Sequence, residues 1–173
     1  IKRLKPSWRN ELEITDALDM LLNEKYLITY KMITDYWKDT GTPEDIINAN
    51  KAILENLIPY FNGEKDSTVL LEGNVSVGND TYIGNHVKII GPVIIGKKCK
   101  ISGDTIIGPN TSIGNDCIIS GGIIKDSIIM NNCEIRKNVN LRNSIISSNS
   151  TIHQNNIQNE QIFLLGEGTK VSF

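Results

Sequence analysis

Charged and titratable side chains able to do chemistry cluster in two stretches near the start of the chain. In PSWRNELEITD, residues 6–16, Arg9 stands at the mouth of a helix whose first turn holds Glu11, Glu13 and Asp16. In WKDTGTPED, residues 37–45, Asp39 ends a strand just before a tight turn at Gly41. A carboxylate at the carboxyl end of an α/β strand lies where such sheets bind ligands, and its hard oxygens suit Mg2+. Spacing alone leaves Asp39 two roles, metal ligand and turn stabiliser. The two histidines, His86 and His153, are the candidate general bases, and each reads equally as a solvated corner residue. Cys99, Cys117 and Cys133 have neither the spacing of a metal site nor that of a redox pair and read as small buried thiols. No Gly-rich phosphate loop is present.

The elements that must position these residues fall into two halves, 1–66 and 67–173. In the first, Ile14, Leu18, Leu21 and Leu22 recur at helical spacing behind Thr15 and Asp16, which predicts a helix over 15–24. KYLITYKMI, 25–33, reads as a strand. Thr42 before Pro43, with Asp45 three positions on, marks the start of a second helix: the hydroxyl caps a free N–H and proline needs no donor there. Two helices and one strand cannot close a core in so short a stretch, so residues 1–66 read as the end of a larger α/β domain. NGEKDS, 62–67, has the composition of a surface turn or linker.

The second half is periodic. An aliphatic residue recurs every six positions at Val77, Ile83, Ile89, Ile95, Ile101, Ile107, Ile113 and Ile119, each with a small or β-branched residue two places before it. This hexad pattern is the signature of a parallel β-helix, in which three hexads make one 18-residue coil. The expected hand is left, as in known folds with this pattern. Cys99 and Cys117, 18 residues apart, should stack in one column, with Cys133 at the same hexad position. The register slips after Ile119 and returns at Ile129, Ile135 and Leu141, then at Ile146 and Ile152, which predicts shortened corners within one continuing solenoid of roughly five coils. The first half and the tail FLLGEGTKVSF are the expected end caps. The fold class is α+β: a left-handed parallel β-helix preceded by the C-terminal piece of a Rossmann-like domain.

A net charge of −2 with scattered Lys and Arg argues against nucleic acid as partner. The apolar runs are far too short to cross a bilayer, so a cytoplasmic protein is expected. Residue 1 is Ile, not Met, so the gene is expected to begin upstream.

PSWRNELEITDAL followed by YWKDTGTPEDIINAN resembles the end of the catalytic domain of the sugar-phosphate nucleotidylyltransferases. In the long form of the thymidylyl-transferring branch a C-terminal hexapeptide β-helix follows, and DSIIMNNCEI, NSIISSNSTI and LLGEGTKVSF resemble its tail. The resemblance implies that Asp39 binds Mg2+ with a second Asp outside this chain. It implies that Arg9 contacts the phosphate of glucose 1-phosphate, that dTTP is the other substrate, and that the protein is a homo-oligomer. Asn10 stands where the family has Gly. Since the nucleotide loop and the first metal-binding Asp are absent, the chain by itself is expected to be inactive. Two alternatives stand beside this: a hexapeptide-repeat acyltransferase or bifunctional enzyme using His86 or His153 as base, and a non-catalytic oligomerisation module.

Overall fold

A computed structural model describes residues 2–34, 37–153 and 160–172, and the side chains of all of these but 137 and 138. Residue 1, on which the expectation of an upstream gene start rests, and Gln154 and Asn155 beside His153 lie outside the described residues. The chain divides into two compact units, Ile1–Trp37 and Lys38–Phe173.

The first unit holds helix α1, Ile14–Asn23, whose N-cap position is the extended Glu13, with no side-chain capping bond, rather than Thr15 or Asp16. None of its residues is buried. Residues 25–33 form no strand; they are almost wholly exposed, Leu27 at 90% and Tyr30 at 89%. β-propensity expresses fit to a neighbouring pleated surface, and the described residues supply this segment with no partner strand. The expectation that Asp39 ends a strand falls with it.

The second unit is the β-helix, and its ladders are parallel throughout, as in a left-handed solenoid. One ladder runs through Val75–Val77, Val93–Ile95, Thr111–Ile113, Ile128–Ile129, Ile145–Ile146 and Leu164–Leu165. Another has seven rungs, from Glu64–Lys65 through Tyr82–Ile83 and Lys100–Ile107 to Lys170–Ser172, or about 29 Å at ordinary strand spacing. Seven of the eight hexad aliphatics are 0% exposed and Ile113 is 3% exposed. Each stacks on its equivalent: Ile83 on Ile101, Ile101 on Ile119, Ile119 on Ile135.

The coils are 18 residues long up to Ser102–Ser120. One corner then loses a residue, pairing Thr105 with Gly122, and another does so by Ile113, which pairs with Ile129. The predicted slips thus shorten corners without ending the solenoid. Of the two readings of 62–67, turn or linker, the structure shows the turn: the segment opens the first coil, because Glu64–Lys65 pairs with Tyr82–Ile83. The tail likewise adds the last rung, Lys170–Ser172 on Thr151–His153.

Helix α2, Pro43–Glu55, begins as its sequence dictates: Thr42 Oγ1 accepts from the Asp45 N–H at 3.2 Å and Pro43 occupies the first turn. It caps no end of the solenoid. Its first turns share a cleft with Asn143, Ile162 and Leu164, and its last residue lies near Gly73 and Pro92. The helix therefore runs along one side of the coils, burying Ile47 and Leu54.

Candidate functional site

Asp39 is exposed, on a short segment tied at both ends to α2. Lys38 Nζ meets Asp45 Oδ1 at 2.8 Å, and the Thr42 hydroxyl donates to Asp45 Oδ2 at 2.7 Å. With Lys38 and Thr42 both on it, the Asp45 carboxyl sits below the usual carboxylate range. Asp45 is thus the structural acid of this turn, which leaves Asp39 free of that role. Mg2+ usually keeps several waters and takes one or two carboxylates together with substrate phosphates. Asp39 supplies one such donor, and among the described residues no group of three His, Cys, Asp or Glu side chains is placed to hold an ion. These residues do not by themselves make a Mg2+ site.

Arg9 lies in the other unit. Its Nη2 contacts Glu13 Oε1 at 2.8 Å, Ser7 Oγ donates to the same oxygen at 2.9 Å, and its guanidinium stands 5.9 Å from the Trp8 ring centre. Those contacts with Arg9 first, then Ser7, hold the Glu13 carboxyl below its ordinary range. Asn10 adopts φ 60°, the left-handed region, and donates its N–H to Ser7 O at 2.9 Å. Asn tolerates that conformation better than most residues, so it can serve the turn in place of Gly. Glu13 orients Arg9, and Glu11 and Asp16 do not touch it among the contacts found.

The histidines are on the β-helix surface. His86 Nδ1 is 3.5 Å from Asp104 Oδ1 on the next coil, both side chains largely exposed. His153 Nε2 is 3.4 Å from Glu134 Oε1, a carboxylate that also pairs with Arg136. The three cysteines are buried and unpaired.

A cluster that periodicity did not single out joins α2 to the coils. Asn50 Nδ2 donates to Asn110 O at 3.3 Å, and Ser112 Oγ donates to Asn50 Oδ1 at 2.5 Å. Next to them Asp126, 13% exposed, receives Lys51 Nζ at 3.0 Å and Asn110 Nδ2 at 3.0 Å, with Arg142 Nε at 3.5 Å. IIKDS, 123–127, lies at the register slip, but the repeat carries other charged residues such as Lys100, Asp104 and Asp116, so residue type alone does not set Asp126 apart.

Residues 1–56 match the family model described as nucleotidyl transferase, and residues 89–172 match that of the GMPPB C-terminal domain. The chain is 37% identical over 172 residues to a glucose-1-phosphate thymidylyltransferase of Streptomyces antibioticus, covering 99% of the chain and 48% of that relative. It is 42% identical over 77 residues to the low-salt glycan biosynthesis nucleotidyltransferase Agl11 of Haloferax volcanii, 44% of the chain and 22% of the relative. It is 36% identical over 77 residues to the bifunctional protein GlmU of Methanococcus vannielii, 44% of the chain and 18% of the relative. The chain spans about half the length of the first of these. No helix among the described residues is long and apolar enough to cross a membrane.

Proposed function

Because the chain is a homologue of glucose-1-phosphate thymidylyltransferase over nearly its whole length, we propose that it is the C-terminal part of such an enzyme. In the complete protein, residues 1–66 would close the catalytic domain and 67–173 would form a β-helix domain for assembly or regulation. The observation that carries this reading is the state of residues 2–34: Trp8, Leu27 and Tyr30 are each about nine-tenths exposed and α1 buries nothing. So much apolar surface in one short segment is the mark of an interface lacking its partner.

The reaction is nucleotidyl transfer. A phosphate oxygen of glucose 1-phosphate attacks the α-phosphorus of dTTP in line; the new P–O bond forms as the bond to the β-phosphate oxygen breaks, and pyrophosphate leaves with that electron pair. Arg9, held by Glu13, binds the sugar phosphate. Nucleotidyltransferases generally use a divalent cation. We take it to be Mg2+, with Asp39 as one donor and the others outside this chain. The protein is read as a cytoplasmic homo-oligomer. The test is direct: the complete protein should form dTDP-glucose and pyrophosphate from dTTP and glucose 1-phosphate, and the 173-residue chain alone should not. Turnover by the short chain would overturn the reading.

A second reading, a sugar acyltransferase or bifunctional enzyme using His86 or His153 as base, is favoured by two carboxylate–imidazole pairs across adjacent coils, His86 with Asp104 and His153 with Glu134. Saturable acetyl-CoA binding, with acyl transfer that is lost in His86→Ala or His153→Ala, would support it, and absence of binding would remove it. A purely oligomerising module would bind none of these substrates, in either form of the protein.

A further inference from the structure

From the contacts of α2 we infer that the β-helix positions Asp39, and that Lys51 and Asp126 are positioning residues for the active site. This rests on the proposed role of Asp39. The path is short and continuous. Lys38 and Thr42 bracket Asp39 and both bind Asp45 in the first turn of α2. Two turns on, Asn50 exchanges hydrogen bonds with Ser112 and Asn110 on the coils. Lys51 then meets Asp126, itself held by Asn110 and Arg142.

Each link has its own physical task. Ile47 and Leu54 are buried, and Ile47 shares a cleft with Ile162 and Leu164 of the coils, which holds the helix down but tolerates sliding, since burial has no direction. Register needs directional groups, and these polar contacts supply it because a slip of one turn would take Lys51 away from Asp126 and Asn50 away from both Ser112 and Asn110. The helix is rigid, so fixing Asn50 and Lys51 on the coils fixes the Thr42 cap and the Asp39 segment as well. The β-helix thereby becomes part of the catalytic geometry, not only an assembly device. The division of the chain agrees: Asp39 belongs to the unit Lys38–Phe173.

The experiment uses Lys51→Met and Asp126→Asn. In the complete protein each should lower kcat roughly 10- to 100-fold with KM for both substrates within about twofold, the mark of a misplaced group, and Lys51→Arg should keep most of the activity. In the 173-residue chain each should speed hydrogen exchange of the α2 amides at least about tenfold while the β-helix amides stay protected. Unchanged kcat overturns the inference. So does loss of β-helix protection in both variants, since the pair would then hold the coils together and not the segment. Asp39→Ala separates the two levels: if it leaves turnover intact, the assignment of Asp39 is wrong; if it abolishes turnover while Lys51→Met changes nothing, only the positioning role is wrong.

Discussion

Cys117 donates its thiol hydrogen to the backbone carbonyl of Met130 on the next coil, at 3.0 Å. The same bond recurs between Cys99 and Gly114 at 3.0 Å and between Cys133 and Ser147 at 3.2 Å. Hydroxyls continue the column at both ends, Thr81 to Gly96 O at 2.8 Å and Ser150 to Gly166 O at 3.2 Å. In this one column, Thr81, Cys99, Cys117, Cys133 and Ser150, the small inward residue carries a donor that satisfies a turn carbonyl of the neighbouring coil.

Set between Cys133 and Cys99, and buried, the Cys117 thiol is pushed well above the ordinary thiol range. Hydrogen bonding to Cys117 instead lowers the Cys99 and Cys133 thiols to about 7, but all three are at most 1% exposed, and we expect burial to make them resist an aqueous disulfide reagent in the native chain and react once it is unfolded. Cys117→Thr, which keeps a donor as Thr81 does, should cost little, whereas Cys117→Leu should overpack the column and lower stability by about 1–3 kcal/mol in urea titration. Rapid native-state labelling of Cys117 would contradict the column.

Gly96 is dictated by close approach of two coils. A Cβ there would lie 2.6 Å from Gly114 O and 2.7 Å from Gly114 C. Gly96→Ala must separate the coils and should destabilise by about 1–3 kcal/mol or more, read as a lower melting temperature. Gly166→Ala is the control: nothing lies within 4 Å of its Cβ, and the change should stay within about 0.5 kcal/mol.

Burial works against ionisation of Asp126, but the Asn110 amide, the Lys51 ammonium and Arg142 outweigh it, and its carboxyl is held below the usual carboxylate range. A group whose folded value is depressed stabilises above its unfolded value, about 3.9, and that stability is lost as pH falls through the folded value. Urea midpoints should therefore fall on acidification below about pH 4. Asp126→Asn should show a shallower fall over the same window; an identical slope in both proteins would mean the pair contributes nothing.

In the complete protein, Asp39→Ala should abolish turnover. Arg9→Ala should raise KM for glucose 1-phosphate at least about tenfold while leaving KM for dTTP nearly unchanged, since one charge-assisted contact to the sugar phosphate is lost. Steady-state kinetics with each substrate varied in turn checks both.

The start of α2 was legible at Thr42 and Pro43 because capping is local: the hydroxyl and the N–H it serves are three residues apart. The buried column was legible for a similar reason, since a solenoid makes every coil repeat the environment of the one before it. Asn10 shows the limit of reading by type alone: its left-handed φ does what Gly does, and no pattern of apolar residues reports it.

What the sequence by itself determined is therefore everything the six-residue period and the helix start encode: eight aliphatics inward, one column of stacked buried cysteines, corners that shorten without breaking. Only the tertiary structure decided that 25–33 makes no strand here, that 62–67 is the first turn of the coil, that α2 lies along the coils, and that Asp126 receives Lys51. Those depend on partners far along the chain, Tyr82 18 residues from Glu64 and Asp126 75 residues from Lys51. Whether a strand pairs, or a charge is buried beside its counterion, depends on which distant surface arrives, and periodicity carries no record of that.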